Sequence, residues 1–76
     1  QRLVAKLDVE RARFEDAARA TEAALRADPR SASDHLAYAQ LLIHLGRRDD
    51  AARELDAAAA DPALAAKVAR VRATLR

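Results

Sequence analysis

Shifted by 34 residues, the sequence lies partly on itself: Arg13-Phe14-Glu15-Asp16-Ala17-Ala18-Arg19 falls over Arg47-Arg48-Asp49-Asp50-Ala51-Ala52-Arg53. Between 13–26 and 47–60, seven of 14 positions are identical and two more exchange Glu for Asp. Four of the identities are Ala on Ala, which a chain with 22 alanines among 76 residues supplies in part by composition. Each stretch runs on into an Asp-Pro pair, Asp28-Pro29 and Asp61-Pro62, 33 residues apart. A period of this length marks one supersecondary unit used twice. A unit so small cannot bury its apolar face alone, so its copies must pack on one another.

The unit is helical. Alanine is the best intrinsic helix former, and Arg, Leu, Glu and Lys follow it. Only one Gly and two Pro interrupt the chain, and the scarcity of β-branched residues leaves strands little to be made from. An all-α fold is expected, as one domain over 1–76, with its core drawn from ten Leu, four Val, one Ile, one Phe and one Tyr. Pro29 cannot continue a helix and biases Asp28 away from helical geometry. Gly46 suits a left-handed cap. Ser31 with Asp34 reads as a capping box, and Asp61 as an N-cap with Pro62 in the first helical position. Five helical segments are expected, at about 2–11, 14–27, 32–45, 48–60 and 62–75. The joint between the first two has no Gly or Pro and rests on the repeat alone. Leu36, Ala39, Leu42 and Ile43 form a stripe at helical spacing in the third segment. Leu64, Val68, Val71 and Leu75 do so in the last, which leaves Lys67, Arg70, Arg72 and Arg76 to its wet face.

These residues resemble a tetratricopeptide repeat protein. In the first unit Phe14 stands like the family's turn aromatic, Ala17 and Ala24 like its two small slots, Ala24-Leu25 like its Ala-Leu pair, and Pro29 like its closing proline. In the second, Gly46 stands at the turn, Ala51 and Ala58 are the small slots, Leu55 is the large one, and Pro62 comes one place early. His35, Tyr38, Ala39 and Leu42 fall where the family packs its first helix. Val4 and Ala5 fit the first unit in the same way, but Asp8 sits where a bulky residue is expected. The resemblance implies antiparallel helix hairpins stacked as an α-solenoid. Repeat 1 would cover about 1–31, repeat 2 about 32–61, and a capping helix about 62–76.

The resemblance also implies a function, which is to hold a peptide or a partner helix in the groove lined by the first helices of the repeats. Here those residues are Arg2, Lys6 and Val9, with Ser33, Leu36, Ala37, Gln40, Ile43 and His44. At such positions Leu36 and Ile43 are expected to be exposed. An apolar strip rimmed by Arg and Lys suits an apolar segment carrying some negative charge. The same strip would equally accept a neighbouring repeat, the last helix folded back, or a second copy of the chain. The carboxylate clamp of chaperone-binding members wants a lysine and asparagines; Gln40 and Lys6 stand where asparagines would be, so a clamp is not supported.

Catalysis finds no foothold. Without cysteine there is no disulfide, thiolate zinc site or thiol nucleophile. His35 and His44 are nine residues apart on one helix, on roughly opposite sides, and cannot share a metal. His35 falls in a packing slot and reads as a partly buried structural residue; His44, near the helix end, caps carbonyls or lines the groove. Asp49-Asp50 and Glu15-Asp16 read as carboxylates at helix N-termini, each stabilising the macrodipole by about 0.3–1 kcal/mol. Ser31, Ser33 and Thr21 have no base at an activating spacing. No catalytic residue, metal or cofactor is assigned.

A net charge of +2, with 12 Arg interspersed among 12 acids and 3% aromatics, offers nucleic acid neither a basic patch nor stacking platforms. Homo-oligomerisation ranks behind peptide binding, and RNA binding by a helical repeat behind both. No apolar stretch reaches membrane-spanning length and no targeting segment is visible; a soluble chain is expected, with the cytoplasm favoured, and the missing signal leaves the compartment of the full protein open. Opening at Gln1 rather than Met, the sequence reads as part of a longer protein.

Overall fold

In the structure, a computed structural model describing the backbone of residues 2–75 and the side chains of residues 9–75, regular structure is helical throughout the described residues. The elements are α1 Arg2–Ala27, α2 Ala32–His44, α3 Arg48–Ala58, a 3₁₀ turn Pro62–Leu64, and α4 Ala65–Ala73. The turn expected near residues 12–13 is absent: α1 runs unbroken for 26 residues, and four α-helices stand where five were expected. Arg11-Ala12-Arg13 carries no glycine, proline or capping side chain, and each residue is a strong helix former. Nothing there stops propagation. At about 1.5 Å per residue α1 is roughly 39 Å long, which accounts for most of the 45 Å long axis of the molecule. Glu15 and Asp16 therefore lie in mid-helix, and the dipole role expected of them falls away. Asp49 and Asp50 do occupy the first turn of α3.

The helix ends follow their local chemistry. Ser31, in extended geometry, accepts the Asp34 N–H on Oγ at 3.4 Å. The other half of the capping box is not made, because the Ser31 N–H goes to the Asp28 carbonyl at 3.2 Å. Gly46, at φ +79°, closes α2. Its N–H reaches the Ile43 carbonyl at 3.0 Å and the Arg47 N–H reaches Leu42 at 2.8 Å, the paired bonds of a left-handed helix cap. Asp61 accepts the Ala63 N–H at 2.9 Å, with Pro62 in the first position of the 3₁₀ turn. That turn replaces the first part of the helix expected over 62–75.

The α2–α3 hairpin is the centre of the molecule. Leu36, Ala39 and Leu42 meet Ala51, Leu55 and Ala58, and α4 adds Val68 to the same buried cluster. Ala39, Ala51 and Ala58 are wholly buried, and such small residues let two helix axes approach while Leu42 and Leu55 fill the space beside them. Tyr38, Ile43, Leu64, Val71 and Leu75 pack around this cluster. α1 lies against α2, and among its described side chains Ala18 is the buried one. The expectation that Leu36 is exposed fails. It sits at the edge of α2 that joins the cluster containing Val68, and it is core. The physical reason is that Leu36 faces into the cluster built by Leu55 and Ala58 of α3 and Val68 of α4 rather than out of the hairpin.

Candidate partner-binding groove

Towards the C-terminal end of α2, side chains of α2 and α4 together line an open groove of about 540 Å³. α2 contributes Gln40, Ile43 and His44 to its lining, and α4 contributes Arg70, Val71 and Thr74. Ile43 and Val71 are half-buried, because both also pack against the core; Gln40, His44, Arg70 and Thr74 are exposed. The groove thus has an apolar floor and a polar rim.

Its electrostatics are one-signed. No carboxylate lines it, and Arg70 forms no ion pair among the described residues. Arg72, two residues on, points to the other side of α4 and binds Asp56 of α3 at 2.6 Å. That bridge anchors α4 to α3 on the side away from the groove.

His44 forms one wall and is itself held from behind. Its ring lies parallel to Phe14 of α1, with centroids 4.6 Å apart and 1° between the planes, within the range of favourable aromatic stacking. Phe14 was expected to mark a turn; inside a continuous α1 it instead braces the groove wall. His35 lies outside the groove, between α2 and α3, with its ring against Glu54 and the Pro29 carbonyl. It is the structural histidine that its packing slot implied.

Of the six residues expected to bind a partner, the structure brings together Gln40, Ile43 and His44. Leu36 belongs to the core. Arg2 and Lys6 lie outside the residues whose side chains are described. Val9 is exposed on α1 and, with Ser33 and Ala37, is not part of the groove lining. Arg70, Val71 and Thr74 were missed as groove residues. Val71 was recognised in the apolar stripe of α4 and Arg70 on its wet face, but which face meets α2 is a tertiary fact.

Arg47 is tied to Asp50 at 2.8 Å, and Arg53 shares the same carboxylate at 2.7 Å. Among the described residues, no three His, Cys, Asp or Glu side chains group so as to hold a metal ion, and no helix is long and apolar enough to cross a membrane. Compared with known proteins, the chain matches no family model, no curated protein and no solved structure.

Proposed function

We propose that this chain is a non-catalytic protein-interaction module that holds an apolar, acid-bearing peptide or partner helix in the groove between α2 and α4. The observation that carries this reading is the lining itself. Ile43 and Val71 give an apolar floor, and Arg70, at its rim, is a cation without an ion-pair partner among the described residues. An apolar side chain laid on that floor contributes by leaving water, and a carboxylate beside Arg70 fixes orientation. The backing of His44 by Phe14 gives one wall a fixed position before the ligand arrives, which lowers the ordering cost of binding.

The reading of the chain as tetratricopeptide-like belongs here too. In that family the groove lies along the first helices of the units, which would be α2 and the capping helix α4. The 34-residue repeat and the hairpin closed at Gly46 support it. The unbroken α1 departs from it, because the first unit would then lack its own hairpin.

The test is selection of peptides from a random display library against the immobilised chain. Enrichment of sequences pairing apolar with acidic residues is expected, with binding weakened at least tenfold by Arg70→Glu. Arg70 is exposed and outside the core, so that change leaves the fold intact. An absence of enrichment, or enriched peptides indifferent to Arg70→Glu, overturns the reading. Concentration-dependent sedimentation of the chain without peptide would favour self-association instead.

A further inference from the structure

We infer that His35 is a protonation-dependent clip: as the imidazolium it donates one N–H to the Glu54 carboxylate and the other to the Pro29 carbonyl, and loss of one proton releases the α1–α2 loop from the α2–α3 hairpin. The ring lies where three parts of the chain meet. His35 stands in the first turns of α2, Glu54 belongs to α3, and Pro29 belongs to the loop leaving α1. Nδ1 is 2.7 Å from Glu54 Oε1, and Nε2 is 2.8 Å from the Pro29 oxygen.

The chemistry of the two acceptors fixes the protonation state. A peptide carbonyl only accepts, and an ionised carboxylate only accepts. A neutral imidazole has a single N–H. Whichever nitrogen kept it, the other would direct its lone pair at an oxygen lone pair less than 3 Å away. Only the imidazolium satisfies both contacts at once. The His35 and Glu54 side chains are 18% and 23% exposed, so the contact between them is partly sheltered from water, and a charge-assisted bond there is stronger than a neutral one; the Pro29 contact lies on the exposed side of the ring.

The surroundings are consistent with that state. Burial is the largest single influence and opposes the charge. The hydrogen bond to Glu54, the Pro29 carbonyl, and the negative charges of Glu54 on α3 and Asp34 on α2 together outweigh it, so the ring titrates above the usual 6.5. From α1, Glu22 acts on Tyr38, one turn further along α2. In the unfolded chain the ring titrates near 6.5. With the folded value higher, the clip contributes its full stability below that pH, and loses it as pH rises through the folded value.

The test is a two-bond ¹H–¹⁵N correlation titration of the histidine rings in the unsubstituted chain. At pH 6.5 more than half of the His35 rings are expected to carry protons on both nitrogens. The midpoint should lie above 6.5, and Glu54→Gln should move it down. The melting temperature should fall across that midpoint in the native sequence and in His44→Gln, and stay flat in His35→Gln. The His44 ring is read in the same spectra, and its substitution separates the two signals. A neutral His35 tautomer at pH 6.5, with a midpoint at or below that value, overturns the clip without any variant having to fold. So does a fall in melting temperature that survives His35→Gln and vanishes in His44→Gln.

Discussion

Segments 13–26 in α1 and 47–60 around α3 share half their residues, yet they bury different faces. In α3 Ala51 and Ala58 are wholly buried, while their counterparts in α1, Ala17 and Ala24, are half-buried and exposed. Conversely Ala18 is buried in α1, and its counterpart Ala52 is exposed. The buried face has turned by one residue, about 100°. The positions where the repeat is not exact explain the turn. Phe14 and Leu25 replace what are Arg48 and Ala59 in the second copy, and they share a face with Ala18. Leu55 stands where the first copy has Thr21, and it shares a face with Ala51 and Ala58. A buried Leu or Phe contributes about 1.5–3 kcal/mol and an alanine methyl about 0.8. The large residues therefore choose the face, and the repeated alanines go along. The neighbours differ to match: α3 packs against both α2 and α4, and α1 chiefly against α2.

The largest expected effect probes the residue that sets the face. Leu55→Ala should destabilise the chain by about 2–5 kcal/mol, because a wholly buried side chain leaves a cavity between tightly apposed helices. Thr21→Ala, at the matching position, should cost under about 1 kcal/mol, since the half-buried hydroxyl only bonds back to the Ala17 carbonyl at 2.8 Å. Urea unfolding followed by far-ultraviolet circular dichroism measures both. Equal costs would mean that α1 is packed on the Thr21 face as tightly as α3 is on the Leu55 face, and the comparison would break.

The next effect concerns the alanines. Ala58→Leu places a large side chain where α2 and α3 have no room, and should cost about 1–3 kcal/mol. Ala24→Leu adds the same atoms to an exposed surface and should stay within about 0.5 kcal/mol. A cost for Ala24→Leu near that of Ala58→Leu would place another helix against α1 in solution.

This contrast also explains what could be read in advance. The α2–α3 hairpin was legible because its signals agree: Ser31 caps one end, Gly46 takes the left-handed turn, and Ala51, Leu55 and Ala58 recur at helical spacing. The break expected near residues 12–13 was inferred from symmetry with the second copy, against a local sequence that favours helix at every position. Local propensity won. Gln40, Ile43 and His44 came from the resemblance, which put a groove on this side of α2, and their spacing on one helix keeps them adjacent in the structure. Burial of Leu36 and the groove role of Arg70 were not legible, since both depend on how α4 returns. A nine-residue helix joined through a 3₁₀ turn carries little in its own pattern to fix that angle.

The smallest effect tests whether charge distinguishes the two copies as packing does. Asp50 is 34% exposed, lies in the first turn of α3, and is gripped by Arg47 at 2.8 Å and Arg53 at 2.7 Å. Its counterpart Asp16 is 75% exposed, sits in mid-helix, and among the described residues pairs with Arg19 alone, at 3.4 Å. Asp50→Ala should cost about 0.5–1.5 kcal/mol, combining a macrodipole contribution with two partly screened pairs. Asp16→Ala should fall within about 0.3 kcal/mol, because a single exposed pair in mid-helix contributes little and alanine is the better helix former. Differential scanning calorimetry at low salt resolves the two. Raising salt to about 1 M shortens the screening length to about 3 Å, so the Asp50 effect should shrink towards that of Asp16. An Asp50 cost that does not change with salt would trace to the geometry of the Gly46–Arg47 turn that its side chain holds, and charge would drop out of the difference between the two copies.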